Sequence, residues 1–160
     1  MRELLVMRHA KSDWGTGAES DLERPLADRG RRAAARVGRF LTAVGRVPDL
    51  VLSSPAARAR ETAEIAAVAG EWECAVEIVE ALYGEDCESV IATLAQVPEE
   101  QLRVMVVGHA PVWSALVSRL VGGGGISMPT AAVACVSFAE CGWAELAPGR
   151  GVLEWLVTPQ

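Results

Sequence analysis

The chain has 160 residues, with 15 Lys+Arg against 21 Asp+Glu, 2 His and 51% hydrophobic residues, which is the size and balance of one compact domain and excludes a disordered or multidomain chain. A core at this length buries roughly 68–70% of the surface that the unfolded chain exposes, enough to fold without disulfides or a structural metal. A net charge of -6 is ill-suited to nucleic acid or to an anionic membrane, so any phosphate bound here must meet a local positive pocket.

Glu3 to Met7 is a short apolar run, the pattern of a strand buried on both faces, and it meets Arg8 too soon to form the apolar region of a signal peptide. No stretch approaches the roughly 20 apolar residues of a membrane span, and the expected protein is soluble. Leu26 to Val44 carries Ala33, Val37, Phe40, Leu41 and Val44 at helical spacing, while Arg29, Arg32, Arg36 and Arg39 occupy another face. Leu50 to Leu52 reads as a second strand. Ser53-Ser54-Pro55 then supplies an N-cap and a proline at the first helical position, for a helix over Ala56–Val68.

Val76–Val79 reads as a third strand and Glu88–Ala95 as a helix closed before Pro98. Arg103–Val107 is a fourth strand, followed by Gly108-His109-Ala110-Pro111 and a helix over Val112–Leu120. Gly122–Gly125 lacks the Gly-x-Gly-x-x-Gly spacing and follows no strand, so it reads as a flexible loop and not a dinucleotide site. Ala132–Phe138, Trp143–Leu146 and Val152–Val157 read as closing strands. Strands alternating with helices predict an α/β fold, a three-layer α/β/α sandwich with a mostly parallel sheet and an antiparallel edge. No linker divides the chain, so residues 1–160 are expected to form a single domain. Cys74, Cys87, Cys135 and Cys141 form no Cys-x-x-Cys pair, and with two histidines they make no common zinc site. They read as reduced thiols of a cytoplasmic protein.

Ligands of open α/β sheets collect beyond the carboxyl ends of the strands. Three places stand there: Arg8-His9, Ser53-Ser54-Pro55 leading to Arg58, and Gly108-His109. Taken singly, each also reads as a solvated loop, a surface ion pair or a strand cap. Together, two guanidinium groups and two imidazoles make a phosphate-sized cluster of donors.

These segments, with Met7-Arg8-His9-Ala10, Arg24-Pro25-Leu26, Ser53-Ser54-Pro55-Ala56-Ala57-Arg58 and Gly108-His109-Ala110-Pro111, resemble the histidine phosphatase superfamily with its phosphoglycerate-mutase-like fold. The short length, Arg-Pro-Leu and Pro129-Thr130-Ala131-Ala132 are similar to its small phosphohistidine phosphatases of the SixA type. The resemblance implies that His9 is the nucleophile, forming a phosphohistidine that water hydrolyses. It also implies that Arg8, Arg58 and His109 bind the phosphoryl oxygens. An imidazole between two arginines is expected to stay neutral near pH 7, and fixed cations make a metal redundant, so no cofactor is expected.

The general acid is less defined. Glu80, ahead of Tyr83-Gly84, resembles the family's acidic position, with Glu85 and Asp86 as competitors and a solvated acidic loop as the ordinary alternative. Ala10 in place of the family's glycine, Lys11 in place of an acid, and Trp14-Gly15 in place of Trp-Asn count against mutase activity. The stretch between Arg58 and His109 leaves little room for a cap, which suits a phosphorylated protein side chain. Trp14 and Trp113 read as pocket walls or as core, and Ser12 and Thr62 as caps more than as phosphate donors. The expected function is a metal-independent phosphohistidine phosphatase acting on a phosphorylated protein, with no nucleic-acid or membrane partner. A phosphomonoester phosphatase for a small phosphorylated metabolite and a non-catalytic phospholigand-binding module are the alternatives.

Overall fold

The computed structural model describes residues 1–159. Its centre is a six-stranded sheet in the order β3-β2-β4-β1-β5-β6, built from β1 (Arg2–Arg8), β2 (Leu50–Ser53), β3 (Ala75–Ile78), β4 (Arg103–Gly108), β5 (Val133–Phe138) and β6 (Val152–Val157). β3, β2, β4 and β1 run parallel, whereas β5 pairs antiparallel to β1 and β6 antiparallel to β5. The antiparallel part is therefore two strands wide. Fully buried residues fill the middle of β1 and β4, and they divide with period two. Leu4, Val6, Val104 and Val106 face one core, and Leu5, Met7, Met105 and Val107 face the other.

The helices supply the two outer layers. α1 (Asp28–Ala43) and α2 (Ala57–Ala69) cover one face, and α3 (Cys87–Leu94) and α4 (Val112–Val121) the other. α1 turns Gly30, Ala34, Val37, Gly38 and Leu41 inward, a stripe rotated from the predicted one. Ala33 and Phe40 flank it, and Val44 lies beyond the helix end, 44% exposed. The rotation has a steric reason, because small residues let α1 and α2 approach closely. A Cβ on Gly38 would stand 2.1 Å from the Ala66 carbonyl oxygen.

Two local expectations are corrected. α2 begins at Ala57 after Ala56, with no side-chain cap; Ser54 accepts the Ala56 N–H at 3.2 Å instead, so Ser54 and Pro55 form the turn before the helix. Trp143–Glu145 is a 3-10 turn, not a strand: Trp143 is buried and donates its indole N–H to the Gln101 carbonyl at 2.7 Å. The glycine tract closes α4, with Gly122 at φ 101, a left-handed conformation favouring glycine. All four cysteines are free, and burial first, then the Glu3 carboxylate, pushes the Cys135 thiol up to about 12. No helix among the described residues is long and apolar enough to cross a membrane.

Gly38→Ala sets helix propensity, worth ~1 kcal/mol in favour of alanine, against a clash with backbone that cannot yield. The clash should win, with a net loss on the scale of about 1–3 kcal/mol for overpacking. Chemical denaturation should show a lower midpoint; an unchanged or raised midpoint would mean that the helices separate freely.

Candidate active site

Backbone pairing builds the site before any side chain is considered. Arg8 stands opposite Gly108 in the parallel β1–β4 ladder, and His9 donates its N–H to the Gly108 carbonyl at 2.9 Å. The residues after the two strands are therefore neighbours, and the His9 and His109 rings lie 5.3 Å apart. β2 ends alongside, with the Ser54 N–H on the Val107 carbonyl, and α2 then carries Arg58 in its first turn. The structure brings Arg8, His9, Arg58 and His109 together around one cavity of about 220 Å³, also lined by Lys11, Trp14 and Arg24.

His9 is 7% exposed, and its Nδ1 lies 2.7 Å from the Ala10 carbonyl oxygen. A carbonyl only accepts, so Nδ1 carries the ring proton and Nε2 keeps its lone pair. Burial comes first in pushing the His9 pKa down to about 3, followed by the charges on His109, Arg58 and Arg8; the Ala10 bond opposes them. Desolvation thus exceeds the arginine effect that the sequence suggested. The loop is held by Thr62, whose hydroxyl accepts the Ala10 N–H at 3.0 Å and donates to the Arg58 carbonyl at 2.6 Å. α1 presses on the same loop: a Cβ on Gly30 would meet the Lys11 carbonyl oxygen at 2.1 Å.

His109 has the same tautomer, set by a different partner. Ser54 Oγ accepts the Ala56 N–H, so its own proton is free to be donated to His109 Nε2 at 2.8 Å. Nδ1 then carries the ring proton of His109. Burial first, then Arg58, pushes the His109 pKa down to about 4.

His109 Nδ1 is a buried donor without a partner among the described residues, as are the Nε atoms of Arg8, Arg24 and Arg58. Arg2 carries a similar Nε elsewhere, so the signal is that all four residues line one cavity. Each unsatisfied donor costs about 1–3 kcal/mol, and an entering oxyanion repays that cost.

The sequence reading missed two residues. Asp21 sits in the 3-10 turn Asp21–Glu23 and receives both terminal nitrogens of Arg58, on its backbone oxygen at 2.7 Å and on Oδ2 at 2.9 Å. Its carboxylate also accepts from Arg24 at 3.0 Å and from the Tyr83 hydroxyl at 2.7 Å. The Tyr83 bond first, then Arg24 and Arg58, holds its pKa far below the usual carboxylate range. Arg24, 8% exposed, hydrogen-bonds Ser12 and lies 3.6 Å over the Trp14 ring. Its adjacency to Pro25 and Leu26 marked a motif, but only the fold shows that it borders the cavity. Asp21 gave little local signal, because Arg58 and Tyr83 lie 37 and 62 residues away and only Arg24 is near in sequence.

Glu80 is not brought to this place. It is exposed and lines neither the cavity nor a second one of about 540 Å³ that shares Arg58 and His109 and is bordered by Asp21, Tyr83 and Glu85. The 3-10 turn Glu80–Tyr83 delivers Tyr83 there instead. Asp86 accepts the Ser89 N–H at 2.7 Å as the N-cap of α3. Trp14 is 75% exposed at the cavity mouth, while Trp113 is fully buried and donates to the Val106 carbonyl, so the first is a wall and the second core.

The sequence model of the histidine phosphatase superfamily (branch 1) matches residues 4–86. A chloroplastic protein of Arabidopsis thaliana, itself uncharacterised, is 32% identical over 171 residues, covering 99% of this chain and 78% of that protein. The SixA structure from Nakamurella multipartitia is 31% identical with a TM-score of 0.86, covering 99% of this chain and 96% of that one. The protein histidine phosphatase SixA complexed with tungstate is 26% identical with a TM-score of 0.84, covering 98% and 97%.

The depressed imidazole pKa values carry a stability signature. Folding lowers both from an ordinary value near 6.5 to about 3 and about 4, so between those limits the unfolded chain binds more protons. The stabilisation is complete above about pH 6.5 and is lost as pH falls toward the folded values. Thermal melts taken from about pH 7.5 down to about 4.5 should show a falling midpoint. The fall should be smaller in the double variant His9→Gln/His109→Gln; equal slopes would assign the acid sensitivity to other groups.

Proposed function

The chain belongs to the histidine phosphatase superfamily and is a phosphatase of its SixA-type branch, and from that premise we propose that it hydrolyses phosphohistidine carried on a protein, without a metal, through a phosphohistidine formed on its own His9. His9 Nε2 attacks phosphorus as the bond to the leaving nitrogen breaks. The proton stays on Nδ1, hydrogen-bonded to the Ala10 carbonyl, which lets the ring accept positive charge as the new N–P bond forms. Arg8, Arg58 and the Nδ1–H of His109 face the phosphoryl oxygens, where their charge and dipoles count most in the transition state. Water then attacks the phosphoenzyme, breaking the N–P bond, and releases phosphate and neutral His9.

The observation that carries the substrate class is the state of Asp21. The carboxyl that ion-pairs Arg58 is kept an anion by Tyr83, Arg24 and Arg58, so it holds no proton for an alkoxide. An alkoxide needs that proton in the transition state, whereas a phosphoramidate nitrogen can arrive already protonated. Exposed Trp14 and Tyr83 at the mouths, with only β3, the 3-10 turn Glu80–Tyr83 and the core-packed α3 between α2 and β4, suit a side chain presented by a protein. The four free thiols suit a cytoplasmic setting. A small phosphorylated metabolite is the second reading, favoured by the 540 Å³ outer cavity, which is of ligand size.

Incubation with a labelled phosphohistidine peptide, quenched in alkali where phosphohistidine survives, should leave label on His9, in chelator as in its absence. His9→Ala should abolish both labelling and turnover. Label on serine or cysteine, or activity that returns only with a divalent ion, would contradict the mechanism.

Glu80→Gln and Glu85→Gln address the leaving group. A positioned acid contributes typically about 10²–10⁴-fold, so an acid in use would show a loss of that size. Both variants should retain phosphohistidine kcat/KM within about threefold, far inside that range. A large loss on phosphohistidine in either would identify a working general acid and favour the phosphoester reading.

A further inference from the structure

Arginines are distributed unevenly with respect to their partners. Of fourteen in the chain, eight hold a carboxylate in an ion pair. Arg8 lines the cavity, and Arg150 lies beyond α4 in the loop before β6. The other four are Arg29, Arg32, Arg36 and Arg39, all exposed on α1 and paired with no carboxylate among the described residues. Their spacing of three, four and three residues places them on one face, opposite the buried stripe from Gly30 to Leu41.

The chain does not lack acids to pair with them. Residues 71–100 hold nine Asp and Glu and no Lys or Arg, whereas residues 29–46 hold six arginines and no acid. α3, with Glu88, lies in the layer opposite α1, and Glu71 and Glu73 flank Trp72, which bonds Thr42 at the far end of α1 from the site. Four like charges at this spacing repel one another, and those in the first turns also oppose the helix dipole. Asp28, four residues before Arg32, is the one acid on α1, and no ion pair to the four arginines among the described residues offsets the rest.

The stripe starts beside the site. The first turn of α1 lies against Lys11, whose carbonyl oxygen accepts the Ala27 N–H at 2.8 Å and whose side chain lines the phosphoryl cavity. From Arg29 to Arg39 it then runs about 15 Å along the helix. We propose that this stripe is a docking surface for an acidic segment of the phosphoprotein substrate, laid along α1 while the phosphorylated side chain enters the cavity.

The proposal rests on the protein-phosphatase reading above and adds the chemistry of the partner. Without the stripe, a chain of net charge -6 would repel an acidic partner. A protein fits this surface better than a nucleic acid does. A uniformly anionic strand reaching across the mouth meets Asp21 and Glu85 on the outer cavity, whereas a protein can present acids to α1 and neutral or basic groups to that side.

Two synthetic phosphohistidine peptides test it, one with a tail of about six Asp and Glu and one with a Ser/Gly tail, each assayed with wild type and with the variant Arg29→Gln/Arg32→Gln/Arg36→Gln/Arg39→Gln. Glutamine has nearly the helix propensity of arginine, and circular dichroism checks that the fold is retained. At low salt the acidic tail should lower KM for wild type by about tenfold, the low end of electrostatic steering. That advantage should vanish in the variant and at about 0.5 M salt, with kcat and neutral-tail kinetics unchanged.

A tail without effect, or an advantage that survives in the variant, would overturn the proposal. Absence of turnover on both peptides would instead defeat the phosphohistidine reading; fluorescence anisotropy of the dye-labelled acidic tail, with wild type and variant, would then decide the docking surface. Self-association in sedimentation velocity that the variant abolishes would reassign the stripe to a second copy of the chain. Stronger binding of a single-stranded oligonucleotide than of the acidic tail would reassign it to nucleic acid. Either result would end the proposal.

Discussion

The parallel register of β1 against β4 is the constraint on which the site depends. Pairing Arg8 with Gly108 places the next residue of each strand, His9 and His109, side by side, and the His9 N–H on the Gly108 carbonyl fixes the separation. A slip of one residue would exchange the two core faces of β1, bringing Leu5 and Met7 to the side of Leu4 and Val6. The apolar packing of both layers therefore enforces the geometry of two polar rings. β2 extends the same logic through its pairing with β4, which sets Ser54 beneath His109 and starts α2 where Arg58 is needed.

Much of this was legible because it depends on local pattern. The apolar runs at Leu4–Met7 and Val104–Val107 mark strands buried on both faces, and the residues that follow such strands mark where ligands collect. Arg8, His9, Arg58 and His109 followed from that rule together with the family resemblance, and they converge on one cavity. The inward face of α1 was misjudged because hydrophobicity was weighed and size was not: Gly38 and Ala34 are buried where close approach matters more than apolar bulk. Trp143 was read into a strand from its apolar neighbours, although its indole serves a buried turn. Asp21 was invisible, since a carboxylate gains meaning only from partners that the fold brings from α2 and the turn before α3. Glu80 shows the opposite error, an acid given significance by its place in the sequence and then left at the surface.

Charge is handled differently in the interior and at the surface. Around the cavity, burial keeps both imidazoles neutral, while Tyr83, Arg24 and Arg58 keep the Asp21 carboxylate charged, so three titratable groups take fixed states near neutral pH. Each is held by a second residue acting through a backbone or hydroxyl contact: Ala10 for His9, Ser54 for His109, Tyr83 for Asp21. Donors are thereby oriented before any ligand arrives, which removes reorganisation from the reaction itself. On the outside, charge is unevenly spread, with four unpaired arginines along α1 and no Lys or Arg in residues 71–100, a pattern that net charge conceals.

The sheet ends in β3 on one side and β6 on the other, and an open strand edge is a template onto which another chain can add. β3 is only four residues long and carries Glu77 in its second half, exposed. β6 is longer and more apolar, but Glu154 interrupts its centre and is engaged by the Ser137 hydroxyl of β5. A strand added to either edge would have to bring a charged side chain out of water without a cation to meet it. Each edge therefore carries one acidic residue against amyloid-like growth, and the apolar central strands stay inside while glutamate stands at the borders.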